Sequence, residues 1–190
     1  ENKYEIAGKI QKQNFAGMET AHPFPRMWDN GNERNQRFVY QEFGGVEEGE
    51  TPTMANEVRY FLDYQFRWMY WRYFMWNFAG KQNDLQGFGN IRDGNWYSGI
   101  TFIDKLFHST TDVLPDTAGK TNKANNKLYF LPFILGIVGL AFQYVRHKRD
   151  FIVSFLLFFF TGLAIVVYLN QSGYQPRERD YAYVGSFYAF

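Results

Sequence analysis

The 190-residue sequence contains no cysteine. Disulfides, thiolate nucleophiles and cysteine-ligated zinc are therefore excluded within these residues. The compartment stays open, because exported proteins also lack cysteine. Neither sign of charge dominates: 20 Lys/Arg against 19 Asp/Glu leave a net charge of +1, which gives no basic footprint for nucleic acid. The three histidines, His22, His108 and His147, stand far apart without ligand spacing. They read as ordinary polar residues, and no metal site is expected. No cofactor is identified either. Gly87, Gly89 and Gly94 sit among Asn and Asp in a turn-rich stretch, with no GxxxxGK[ST] pattern. GxSxG, HExxH and Ser/His/Asp signatures are missing. The chain opens on Glu1 and stops at Phe190 inside an aromatic run, so it is expected to be a segment of a longer protein.

What is present is two long uncharged runs. The mean hydropathy of -0.41 averages two unlike regions. Residues 1–127 carry 15 Lys/Arg and 16 Asp/Glu, whereas residues 128–190 carry 5 and 3. Within the second region lie Leu128–Val145 and Phe151–Leu169, of 18 and 19 residues. At a rise of about 1.5 Å per residue each spans roughly 27–29 Å, close to the apolar thickness of a bilayer. Pro132 falls in the first turn of its helix, where its missing N–H costs little. Tyr129, Tyr144 and Tyr168 lie near the ends, where interfacial aromatics collect.

Between the runs stands Arg146-His147-Lys148-Arg149-Asp150. So short a link forces an antiparallel hairpin, and its three basic residues predict a cytoplasmic loop by the positive-inside rule. Residues 1–127 and 170–180 then face the other side. The expected fold is mainly α: a polytopic membrane-protein fragment with a transmembrane hairpin (128–145 and 151–169). The start of a third helix follows from about 181, and a mixed loop and helix extracytoplasmic segment precedes the hairpin over 1–127. The expected setting is the bacterial inner membrane, with 1–127 periplasmic.

In the segment before the membrane, 11 of the 19 residues from Tyr60 to Phe78 are aromatic. Arg59, Asp63 and Arg67 follow an i, i+4 stripe, which predicts a helix near 57–78. Arg67 and Arg72 argue against a plain membrane span, so the helix is expected at the interface or packed against others. Arg67, Arg72, Trp71 and Trp76 form an aromatic and basic set that suits a sugar or a lipid phosphate; the alternative is a packing element alone. Residues 1–55 read as loop and short strand, with solvated Glu47, Glu48 and Glu50. Asp112–Lys127 reads as a polar linker.

The second candidate site is Gln175-Pro176-Arg177-Glu178-Arg179-Asp180, just outside the expected third helix. Arginine pairs bidentately with phosphate, so Arg177 and Arg179 at a membrane rim would hold a lipid-linked phosphate. Glu178 and Asp180 supply carboxylates for acid or base work. The alternative is a self-neutralising ion cluster that anchors the helix end.

Several stretches resemble a known family: Phe24-Pro25-Arg26-Met27, MYWRYFMWNFAGKQND (69–84), GNWYSGI (94–100), FTGLAIVVYLNQ (160–171) and QPRERDYAYVGSFYAF (175–190). They look like the later part of a bacterial membrane family of unknown function, related to transmembrane protein 260, a eukaryotic protein O-mannosyltransferase. The resemblance implies a C-type glycosyltransferase that takes a sugar from a polyprenyl-phosphate donor on the extracytoplasmic face. The acceptor would be an exported protein or glycan. In such enzymes the catalytic carboxylate lies near the N-terminus of the whole protein, so no catalytic residue is carried over to this chain. The competing expectation is a non-enzymatic envelope scaffold or lipid-binding protein. A transporter is disfavoured, because neither long apolar run carries a charge.

Overall fold

The aromatic run cannot leave its rings in water, and it becomes the centre of the fold. The computed structural model describes residues 17–18, 21–27, 34–108, 121–174 and 179–190. Among these the chain is mainly helical, with two short strands. A capping box at Thr53 starts the central helix: Thr53 Oγ1 accepts from the Asn56 N–H, and Asn56 Oδ1 accepts from the Thr53 N–H at 2.9 Å. The helix then runs without a break through α2 (Met54–Tyr60), a π-helical stretch (Phe61–Trp71) and α3 (Arg72–Phe78). The i→i+5 repeat of a π-helix places Tyr60, Gln65 and Tyr70 in one line. That line faces Gln171 and Ser186: Tyr60 Oη and Gln65 Nε2 donate to Gln171 O, and Tyr70 Oη donates to Ser186 Oγ.

Around Tyr60 and Tyr64 the helix also meets α1 (Arg34–Gly44), a helix in a region expected to be loop and short strand. Val39, Tyr40 and Phe43 share one face of α1 and are buried against Tyr60 and Tyr64. The ring centroids lie 5.0 Å apart for Tyr40–Tyr60 and for Phe43–Tyr64. A single helical turn of apolar residues was too short a period to stand out in the sequence. Glu47, Glu48 and Glu50 are exposed, as expected.

After α3 the chain makes β1 (Gly80–Lys81), then a polar loop and α4 (Thr101–His108). It returns as β2 (Asn126–Lys127), antiparallel to β1. This pairing corrects the start of the first apolar helix. The Leu128 N–H donates to Ala79 O and the Tyr129 N–H to Ser98 O, so both residues belong to the turn between β2 and the helix rather than to the helix. Tyr129 and Phe130 are left-handed, with φ of 53° and 58°. Helix α5 therefore runs over Leu131–Arg146, 16 residues and about 24 Å.

A single residue, His147, joins α5 to α6 (Lys148–Thr161), which continues as α7 (Leu163–Leu169) past a break at Gly162. The helices lie antiparallel. Tyr144 meets Phe151 beside the turn, and Phe133 and Phe158 both meet Phe74 at the far end. The stretch Lys148–Leu169, 22 residues and about 33 Å, is long and apolar enough to cross a membrane; α5 is shorter. A soluble core helix would have the same composition but would be buried, and only 11% of an apolar 18-residue window of this span is. The expected third helix starts as a 3₁₀ turn, Asp180–Tyr183, and continues as α8 (Val184–Ala189). It closes on α6 through small residues. A Cβ at Gly162 would lie 2.7 Å from Tyr70 Oη and 2.9 Å from Ser186 Cβ.

Candidate functional site

Three of the four residues in the aromatic and basic set line one cavity of about 320 Å³. Arg67, Trp68, Trp71 and Arg72 come from the central helix. Asn95, Trp96 and Ile91 come from the polar loop, and Phe107 from α4. Trp76 does not line it but stands behind Arg72, with the guanidinium carbon 4.8 Å from its ring centroid.

The Arg72 guanidinium is fixed in place. Nε donates to Trp68 O and Nη1 to Gly94 O, each at 3.0 Å, and the group stacks 4.1 Å from the Trp68 ring. It is almost fully buried. Gly94 makes that approach possible: its φ is 67°, and a Cβ there would lie 2.9 Å from Arg72 Nη1. Arg67 differs, being largely exposed and paired with Asp63 at 3.4 Å; Arg59 pairs with the same carboxylate at 3.7 Å. The Arg59–Asp63–Arg67 stripe is thus a solvated ion-pair row, of modest energy. One arginine is rigid and the other is held loosely enough to turn toward a ligand.

The loop keeps its own shape. Asn83 Oδ1 accepts from the Gly94 N–H at 2.7 Å, and Gln82 Oε1 accepts from Asn95 Nδ2 at 3.1 Å. Side-chain bonds of this kind, together with an antiparallel bridge between Trp96 and Lys81, hold Asn95 and Trp96 on the cavity wall. Trp68, Ile91, Asn95, Trp96 and Phe107 did not stand out as site residues in the sequence. The signal for Trp96 was its place in GNWYSGI; a dense Gly/Asn stretch otherwise reads only as turns. Among the described residues the cavity lining holds no carboxylate.

A second polar centre is structural. The buried Glu57 carboxylate accepts from the backbone N–H groups of Arg26 and of Met27, the latter at 2.6 Å. Arg26 Nη1 donates to Asn170 Oδ1 at 2.8 Å and to Val167 O at 3.0 Å. Gln65 Nε2 donates to the same Asn170 oxygen at 3.0 Å. Burial pulls the Arg26 guanidinium below its ordinary pKa, and the Glu57 charge opposes the shift. The motifs Phe24–Met27 and Phe160–Gln171 therefore meet in space.

Of the rim cluster, Arg179 and Asp180 are both exposed, at the start of the 3₁₀ turn. Arg177 and Glu178 lie outside the described residues. No group of three or more His, Cys, Asp or Glu able to hold a metal ion is found among the described residues.

A family of unknown function (DUF8416) matches residues 1–62. The match takes in Arg26, Glu57 and the start of the central helix, and ends before the cavity. Neither the curated proteins nor the solved structures contain a match.

Proposed function

We propose that this chain is part of an integral-membrane protein that binds a lipid-phosphate-linked sugar on the extracytoplasmic face, in the manner of a C-type glycosyltransferase. The observation that carries this reading is the cavity: two guanidinium groups, one fixed and one adjustable, among Trp68, Trp71 and Trp96. Guanidinium matches phosphate oxygens, and indole faces take the C–H face of a sugar ring. The volume of about 320 Å³ suits a sugar phosphate and leaves a lipid chain outside.

The membrane setting is supported by the hairpin surface. Leu135, Val138, Phe142, Val145, Val153 and Phe160 are all exposed, far more apolar surface than a soluble monomer presents. With both α5 and α6–α7 in the bilayer, the basic turn Arg146–Arg149 faces the cytoplasm and the cavity-bearing part faces the periplasm. The resemblance of the GNWYSGI and QPRERDYAYVGSFYAF stretches to the family of transmembrane protein 260 points the same way, with an exported protein or glycan as acceptor. Arg177 and Arg179 are then a second phosphate contact at the rim.

A second reading for this segment is a lipid-binding envelope scaffold, which needs the phosphate and indole contacts of the cavity but no acid or base. In both readings the phosphate sits in the cavity. Arg67 is the clean probe, because removing the buried Arg72 would also unfold its surroundings. Arg67→Ala in the intact protein in nanodiscs should weaken binding of a polyprenyl phosphate about 10- to 150-fold, with an unchanged melting temperature. Unchanged affinity would remove the cavity as the site. Sugar transfer to an acceptor separates the enzyme from the scaffold.

A further inference from the structure

Helix α4 is amphipathic in the wrong sense for a protein in water. Among its described side chains the one fully buried is Asp104, while Phe102 and Leu106, one turn apart, are 78% and 71% exposed. Phe107 is 62% exposed. The roll of the helix about its axis is not incidental. Asp104 Oδ1 accepts from Ser98 Oγ at 2.7 Å and from the Ser98 N–H at 2.9 Å, and Oδ2 accepts from the Gly99 N–H at 2.9 Å. These three bonds turn the carboxylate inward, so the Phe102–Leu106 face must point outward. Ile103 packs on the cluster around Trp96 and leaves that face uncovered.

We propose that α4 is an in-plane membrane helix that seats Phe102 and Leu106 in the lipid interface and so holds the mouth of the Arg67/Trp71/Trp96 cavity at headgroup level. The occupant is the lipid surface because α4, with its exposed apolar face, lies beside the start of the exposed apolar hairpin. Trp96 meets Phe107 of α4 at 5.3 Å and Phe130, just before α5, at 5.9 Å. Gly99 lies against the ring of Tyr129, which is itself half exposed at the hairpin's start. The bilayer face at which α5 begins is thus the face on which α4 lies. Lys105 is exposed and flanks the Phe102–Leu106 face, where its stem can lie along lipid with the ammonium at phosphate level. Because Phe107 belongs to both α4 and the cavity wall, a lipid phosphate in the adjoining leaflet reaches Arg67 without leaving the membrane.

The inference rests on the membrane reading of the hairpin, and one experiment separates the two. Single cysteines replace Leu106, Leu156 of the hairpin and Glu47 of the solvated surface in the intact protein, each carrying a nitroxide in anionic phospholipid nanodiscs. The expected result is Leu156→Cys deep in the bilayer, Leu106→Cys roughly 5–10 Å below the phosphate plane, and Glu47→Cys open to a water-soluble nickel chelate. If Leu156→Cys is lipid-exposed while Leu106→Cys is as open to the chelate as Glu47→Cys, α4 does not dock on lipid and the hairpin reading stands. A Leu106→Cys label closed to both oxygen and chelate would mean that protein covers α4, which also overturns the proposal. If Leu156→Cys itself meets the chelate, the membrane reading fails and the α4 proposal fails with it.

Discussion

Arg26 reaches Asn170 across 144 residues of sequence, Nη1 donating to Oδ1 at 2.8 Å. Asn170 also ends α7 in a left-handed conformation, with φ of 41°, and its Nδ2 donates to Pro25 O at 3.2 Å. One side chain therefore stops α7 and fastens the N-terminal segment to it. Asn170→Ala should cost about 2–3 kcal/mol in thermal or denaturant unfolding, from the lost charge-assisted bond and the left-handed backbone. Asn170→Gly, which tolerates that backbone, should recover about 1 kcal/mol of the loss. Equal losses would show that the backbone conformation contributes nothing.

Gly162 and Gly139 make an internal comparison on the hairpin. A Cβ at Gly162 would press on Tyr70 Oη and Ser186, whereas nothing lies within 4 Å of one at Gly139. Gly162→Ala should destabilise by about 1–3 kcal/mol through overpacking. Gly139→Ala should be neutral or stabilise by up to about 1 kcal/mol, since alanine favours helix. Melting temperatures in detergent check both, and a tolerated Gly162→Ala would mean that α8 does not pack closely on α6.

The long apolar runs were legible because hydrophobic length is a local property, and so was the helix across Tyr60–Phe78. The π-helical turn was not. The five-residue spacing of Tyr60, Gln65 and Tyr70 is visible in the sequence, but its meaning depends on Gln171 and Ser186, over a hundred residues away. The start of α5 was placed three residues early because Leu128 is as apolar as the helix, and only its bond to Ala79 O ties it to the turn after β2. Arg67, Trp71 and Arg72 were picked out by residue type. Trp96 and Phe107 complete their cavity from other elements, and no local pattern announces that.

The proposed orientation rests on the basic turn. A cysteine replacing His147 should resist a membrane-impermeant thiol reagent in intact spheroplasts, and one replacing Ser172 should be labelled. The reverse pattern would put the cavity in the cytoplasm and remove the periplasmic donor with it.

Where the lipid phosphate sits can be read by photo-crosslinking. The intact protein in nanodiscs is loaded with a polyprenyl phosphate carrying a diazirine close to the phosphate. After irradiation the adducts are mapped by mass spectrometry. With the phosphate between Arg67 and Arg72, adducts fall on Trp68, Trp71, Ile91 and Trp96, which line the cavity. Arg67→Ala then depletes them by the same factor that it weakens binding. Adducts confined to residues 175–180, or spread over the exposed apolar surface of α5 and α6 and unchanged by Arg67→Ala, would contradict the cavity as the donor site.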